Sequence, residues 1–537
     1  MSNEQEPLLD GDDIQGNILP GFNRTERYLV AFTCAEGLRL QRALARLRPE
    51  ITTMSQALGH RDDRKLAFLA GAPPPQRTDL WVNVALGIAA TEALGAHGVA
   101  ALDIGENMPF TQGMTPSLLG DPYAQTLPDG AENPAALANW KVGSPSKRAD
   151  LLLIFAHDAD VVTEAAPVVA EIAALLGCQP IYCEAGRMLD GEAEHFGFRD
   201  GISQPGVRGK IMQNGTERLV TTRYGVPSRD GIDFGKAGQP LAWPGQFLTG
   251  QSTGPTDRPM LSPELTNGSF LVFRRLLQDV HAFYADTDSL ARKLTVDSKV
   301  EIDGAGLRAR IVGRFPSGAA LMRFDKDPIR QEDPNAVNYF EFGTELPPIV
   351  LDDQTKIDGS AADPDVLRGR RCPVWAHTRK VNPRDQPTDR GGRVETQGFQ
   401  MLRRGIPFGP PFDHANPCNL RNKESRGLLF LAYQRSIDRQ FLVLNSDWMN
   451  TRTGPQAGGF DLLVGQYVPD EAGGQYAPKS ASFFGPRSQA AEPDFIEPQR
   501  QWIIPTGGGF FFAPSLAFID KYGAPLLALR ETDRAPA

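Results

Sequence analysis

The sequence predicts an α+β fold of two related halves, each an antiparallel sheet carrying helices. Two observations support this. Apolar runs of strand length and helix-period segments follow one another as β-α-β-β-α-β, the split βαβ or ferredoxin-like order, and a similar order begins again after residue 262. The chain has 537 residues, too many for one hydrophobic core. The expected division is an N-terminal segment over 1–24, a first ferredoxin-like half over 25–262 and a second over 263–537.

In the first half, residues 28–34 (YLVAFTC) read as a strand. A helix follows over 37–48, with Leu40, Leu44 and Leu47 on one face and Pro49 stopping it. The second strand covers 80–87 (LWVNVALG). The third, 149–157 (ADLLLIFAH), is too continuously apolar to have an exposed face. Asp158 or Asp160 can cap the next helix, which runs to Leu176 and ends at Gly177. A fourth strand is expected near 180–185. In the second half, 268–275 reads as a strand and 276–293 as a helix. Strand-like 398–404 and 427–435 come next, then helix-like 437–449. Two long insertions, about 105–148 and about 352–397, are rich in Gly, Pro and Asp. Loops of that length inside a domain are usually functional.

Composition narrows the function classes. Hydrophobic residues make up 41%, and 54 Gly with 44 Pro point to long ordered loops rather than disorder. A net charge of −9 argues against a nucleic-acid partner. The five Cys (34, 178, 183, 372 and 418) are scattered, odd in number and without a CxxC pair. That pattern argues against a disulfide scaffold or zinc site and fits a reducing compartment. The polar, acidic stretch 1–13 lacks the features of a secretory signal, and no apolar run is long enough to span a membrane. The expected address is the cytoplasm.

Three stretches carry groups suited to chemistry. Gly197-Phe198-Arg199-Asp200-Gly201 holds a carboxylate in a glycine-flanked turn. CPVWAHTRKVNPRD (372–385) sets His377 among Trp375, Arg379 and Arg384. MLRRGIPFGPP (401–411) puts Arg403 and Arg404 at the end of an apolar strand. Taken singly, each has an ordinary explanation: a turn carboxylate, a core histidine, a solvated strand edge.

Taken together, in this order, they resemble the dye-decolourising (DyP-type) haem peroxidases. The segments DIQGNILPGFNR (13–24), GSFLVFRRLLQDV (268–280), VGRFPSGAAL (312–321) and RGLLFLAYQRSIDRQF (426–441) carry the same resemblance. It runs from about residue 13 to about 450, and the long loops resemble the larger members of that family. The resemblance implies one haem b per chain, held in the second half, with His377 as axial ligand to the iron. It implies Asp200 as the distal acid–base residue and Arg403 as the distal arginine, with Arg404 the competing assignment. Leu428 and Phe430 would wall the haem, and strand alternation puts both on one face. Arg379, and Arg274 or Arg275, are the candidate partners of the haem propionates. Asp447 is the candidate carboxylate behind the axial histidine, and His414 is the rival axial ligand. Trp375, Tyr433 and Trp448 are candidate stations for electrons drawn from bulky donors.

The residue types suit peroxide chemistry. A neutral imidazole gives haem iron one axial bond and leaves the other face open. A free Asp, titrating near ~3.9, can take a proton from peroxide and return it to the leaving oxygen. A nearby arginine stabilises the charge that builds there. The implied function is reduction of hydrogen peroxide through a high-valent iron intermediate and oxidation of dyes and phenolics, best at acidic pH. The alternative is a haem-binding or haem-processing protein that releases iron and turns over little peroxide. No nucleic acid or membrane partner is expected. A monomer or small homo-oligomer is expected, and the tail ETDRAPA gives no signal for or against an encapsulating shell.

Overall fold

The segments Trp81–Leu86 and Leu151–His157 are buried at every position. An antiparallel strand normally alternates, one face wet. These two do not, because apolar material covers both faces of the sheet to which they belong. The computed structural model that shows this describes residues 6–523, apart from 74–77, 104–107, 122–131, 214, 258, 298–300, 329–332, 334, 368, 415–418, 467, 470–475, 478–480, 483–494 and 499. Cys418 and the tail 531–537 therefore lie outside the described residues.

The first half contains β1 (Glu26–Phe32), α1 (Gly37–Leu47), β2 (Trp81–Leu86), β3 (Leu151–His157), α2 (Val161–Leu176) and β4 (Tyr182–Arg187). Its strands lie in the order β4-β1-β3-β2. Helix α1 buries Leu40, Ala43, Leu44 and Leu47. Of the two candidate caps for α2, Asp160 does the capping, accepting from Thr163 N–H at 3.4 Å. Asp158 instead pairs with Arg24 at 2.6 Å. Gly177, in the left-handed conformation (φ +67°), ends the helix.

The second half contains β5 (Ser269–Gln278), α3 (Val280–Asp297), α4 (Gly304–Val312), α5 (His377–Val381), β6 (Leu402–Arg403), β7 (Ile406–Phe408), β8 (Gly427–Gln434), a π-wound helix α6 (Ile437–Met449) and β9 (Ile503–Ala513). Strand β5 runs three residues beyond the predicted 268–275, so α3 starts at Val280 rather than 276. The predicted strand 398–404 is shorter and interrupted, because Arg393–Gln397 is a helix and the pairing residues are 402–403 and 406–408. β9 lay beyond the stretch that the family resemblance reached, and the Pro-Thr-Gly-Gly-Gly run in its interior, where the register shifts, hides the strand signal.

The order β7-β8-β5-β9 repeats that of the first half by position in the motif. The expectation of two ferredoxin-like halves holds, but their sheets do not stay separate. β4 meets β7 at Gly186 opposite Phe408, and β2 meets β9 at Leu86 opposite Phe512. With β5 paired to β8, all nine strands form one closed antiparallel sheet. An unpaired edge would leave a row of N–H and C=O groups unsatisfied, and closure removes it. Inside the ring, Leu29, Ala31, Leu152, Ile154, Phe273, Leu429 and Leu431 pack together. The segment containing Ile14, Ile18 and Leu19 completes this inner core. Outside it, Val30, Phe32, Leu153 and Phe155 pack against α1 and α2. Among the described residues, no helix is long and apolar enough to cross a membrane.

Candidate active site

The outer face of the second half is not filled in the same way. A cavity of about 270 Å³ lies there, lined by Arg274, Leu276, Leu428 and Phe430 from the sheet. His377 and Val381 from α5, Met449 from α6 and Leu463 contribute further wall. The loop after β4 adds Phe196, Phe198 and Asp200, and β6 adds Arg403. His377, Asp200, Arg403, Leu428 and Phe430, far apart in sequence, thus share one cavity. The insertion 352–397 is the segment that delivers His377.

His377 opens α5, and its Nδ1 lies 2.7 Å from Oδ2 of Asp461. The Asp461 side chain is fully buried. Its other oxygen accepts from the N–H groups of Leu463 and Val464, both at 2.9 Å. A carboxylate held this way accepts the Nδ1 proton and leaves the Nε2 lone pair as the ligand atom. The expected partner, Asp447, is a correction: it pairs with Arg390 at 2.6 Å and its side chain is 43% exposed. Asp461 follows two glycines in GGFDLLVGQ, 84 residues after His377, and nothing local in that stretch distinguishes it from any turn aspartate. His414 does not line the cavity; it stacks on Tyr284 and Phe412, each at 4.9 Å.

Asp200 stands in a turn framed by Gly197 (φ +88°) and Gly201 (φ +73°), conformations that only glycine adopts freely. Its Oδ1 accepts from Gly201 N–H at 2.6 Å, and its own N–H donates to Glu192 O at 3.1 Å. Asp200 is exposed and lines the cavity. Arg403 donates from Nη2 to Ser203 O at 2.7 Å. The amide of Gln204 pairs with both the N–H and the C=O of Arg403, at 3.2 Å each. The end of the Asp200 loop is therefore stitched to the strand carrying the arginine.

Strand parity separates Arg403 from Arg404. Leu402 and Ile406 point into the closed sheet, so Arg404 shares their face and Arg403 the other. Arg404 donates to the carbonyls of Asn17, Ile18 and Arg403 instead of reaching the cavity. The same parity divides Arg274 from Arg275. Arg274 lines the cavity, ion-paired to Asp121, while Arg275 turns inward to Glu184 at 2.6 Å.

Arg379 is a second correction. It lies outside the cavity, fully buried, and donates to the carbonyls of Cys372 and Val366 at 2.7 Å each. A residue two positions after His377 on a helix points about 200° away from it. Arg384 is the cation from that segment that lines the cavity, with Nη1 donating to Asn338 O at 2.9 Å. Trp375, Tyr433 and Trp448 are all buried, and none lines the cavity.

These residues fit a haem. One carboxylate-backed imidazole, apolar walls, a carboxylate and arginines lie about one cavity, which is the donor set a buried ferric porphyrin requires. Comparison with known proteins points the same way. The family model for the C-terminal part of DyP-type peroxidases matches residues 349–483. A dye-decolorizing peroxidase of Mycena epipterygia is 29% identical over 554 residues, covering 97% of this chain and 88% of its own. The multifunctional dye peroxidase of an Amycolatopsis species is 30% identical over 334 residues, 61% of this chain and 60% of its own. Among solved structures, an ancestral D-type dye decolorizing peroxidase is 27% identical with a TM-score of 0.69, across 96% of this chain and 100% of that one. A dye-decolorizing peroxidase in complex with 2,6-dimethoxyphenol is 26% identical with a TM-score of 0.66, over the same shares.

Proposed function

We propose that the chain is a DyP-type peroxidase, a reading supported by its likeness to such enzymes over nearly its full length, and that it holds one haem b on His377, reduces hydrogen peroxide and oxidises phenolic or dye-like donors. The observation that carries this reading is the buried pair His377–Asp461 opening onto the same cavity as Asp200 and Arg403. When bound, the haem supplies the peroxide-binding and two-electron redox chemistry. Carriage of haem alone would not call for an acid–base group and an arginine in that cavity.

Each residue then has a defined task. His377 Nε2 is the axial donor, and Asp461 fixes its ring and raises its basicity. Oδ1 of Asp200 is occupied by the Gly201 N–H. Oδ2 takes the proton from one peroxide oxygen and returns it to the oxygen that leaves. Arg403, oriented by Ser203 O, stabilises the negative charge on that departing oxygen. Leu428, Phe430 and Leu276 exclude water from the macrocycle faces, and Arg384 is suited to a propionate.

The test is an absorption spectrum of purified protein, with and without added haemin, followed by one equivalent of peroxide. A Soret band that shifts on peroxide and recovers with a phenolic donor is the expected result. A band that peroxide only bleaches would favour haem carriage or processing. No band at all would remove the reading.

A further inference from the structure

Two carboxylates line the cavity, Asp200 and Glu194, and the reaction described above uses only one. Glu194 lies at the start of the loop that carries Asp200. Its Oε2 accepts from Phe196 N–H at 2.9 Å and its Oε1 from Phe198 N–H at 3.0 Å. Its own N–H donates to Phe198 O, also at 2.9 Å, so side chain and backbone close one small ring. Gln278, the last residue of β5, donates its amide to the same carboxylate. Tyr284 of α3 donates to Phe196 O at 3.0 Å from outside. The loop belongs to the first half, and Gln278 belongs to the second. Its turn is held by a carboxylate from within and anchored across the boundary between the halves.

Resting on the peroxidase reading, we propose that Glu194 is a positioning residue: its carboxylate holds the Phe196–Phe198 turn and thereby sets where Asp200 stands, and protonating it loosens that hold. Phe196 and Phe198 are buried walls of the cavity, and Asp200 lies two residues further on. A negative carboxylate accepts three donors well, and a neutral acid gives up part of that capacity. Burial pushes the Glu194 carboxyl up to about 7, against the pull of its three donors, and Asp200 adds to the rise. On its own loop the neighbouring ionisable groups are His195, Arg199 and Asp200. From α3 comes Tyr284, with Arg308 of α4 over its ring at 4.2 Å, and β5 presents the neutral Gln278. The hold is therefore strongest above neutrality and weakens as pH falls through about 7, which opposes the acidic optimum that the family resemblance implies and limits the peroxide reaction on the acid side.

Hydrogen exchange of peptides covering 192–201, corrected for intrinsic rates, tests this in haem-free and haem-loaded protein. The wild type is expected to lose protection there as pH falls through about 7. Glu194→Gln is expected to be unprotected at every pH, with no step. Above about pH 7 its reaction with hydrogen peroxide should slow about 10- to 100-fold relative to wild type with the donor KM unchanged, and the gap should close as the wild type is itself protonated on the acid side. Gln278→Ala removes a bond that holds the carboxyl's affinity for protons down, so its step should move to higher pH. Unchanged exchange or peroxide rate in Glu194→Gln would overturn the proposal. Should that variant not fold, an unmoved step in Gln278→Ala would overturn it instead. Failure of the wild-type holoprotein to react with peroxide would sink the peroxidase reading, whereas the exchange step is read without it.

Discussion

The two halves share a strand order and differ in what covers them. In the first, α1 and α2 lie directly on the sheet, and residues such as Leu153 and Phe155 are fully buried beneath them. In the second, the elements opposite Arg274, Leu276, Leu428 and Phe430 stand off and leave a cavity. The sequences of the covering segments account for the contrast. The first half is covered by helices of 11 and 16 residues with apolar faces. At the equivalent face of the second half, the five-residue helix α5 and the loop around Asp461 present a histidine and its carboxylate. A repeated framework thus gives one half that supplies rigidity and one that can hold a cofactor.

That contrast can be broken most forcefully at His377. His377→Ala should abolish stable haem binding, seen as loss of the Soret band after gel filtration, while far-UV circular dichroism of the closed sheet stays native. A collapse of the sheet as well would mean that the two roles are not separable. Next in size, Arg403→Leu should slow the reaction with peroxide about 10²–10³-fold in stopped flow with haem retained. Arg404→Leu, its neighbour on the inward face, should leave that rate alone. It should instead lower stability by about 1–3 kcal/mol, because three carbonyls lose a donor.

Packing offers a third comparison. Leu153→Ala in the first half should cost about 2–5 kcal/mol in denaturant unfolding. Leu428→Ala, which faces the cavity, should cost less in the haem-free protein and weaken haem retention. Smaller again, Asp461→Asn should weaken haem affinity or activity about 10- to 100-fold and raise the ferric/ferrous potential. Asp447→Asn, an exposed pair, should change neither.

The smallest effect concerns the boundary between the halves. His195, buried after β4, has Nε2 2.8 Å from Phe408 O on β7. Burial pushes its pKa from 6.5 down to about 4. A depressed value means that the unfolded chain binds the proton more tightly. The stability that neutral His195 contributes is therefore complete above about 6.5 and is lost progressively as pH falls toward about 4. His195→Gln should flatten that part of the stability–pH curve; an unchanged curve would assign the acid sensitivity elsewhere.

The sequence by itself determined the element order, because strand and helix periodicity is local, and it determined which residues could share a cavity through motifs read together. The family resemblance favours Arg403 over Arg404, and the folded strand, with Leu402 and Ile406 turned inward, puts Arg403 on the cavity face. Only the tertiary structure decided the closure of two sheets into one, the substitution of Asp461 for Asp447, and the turning of Arg379 away from the site in favour of Arg384. Each of these depends on contacts between segments far apart in the chain. Local sequence sets the direction of a side chain relative to its own strand or helix. Which distant group meets it there depends on how those elements pack.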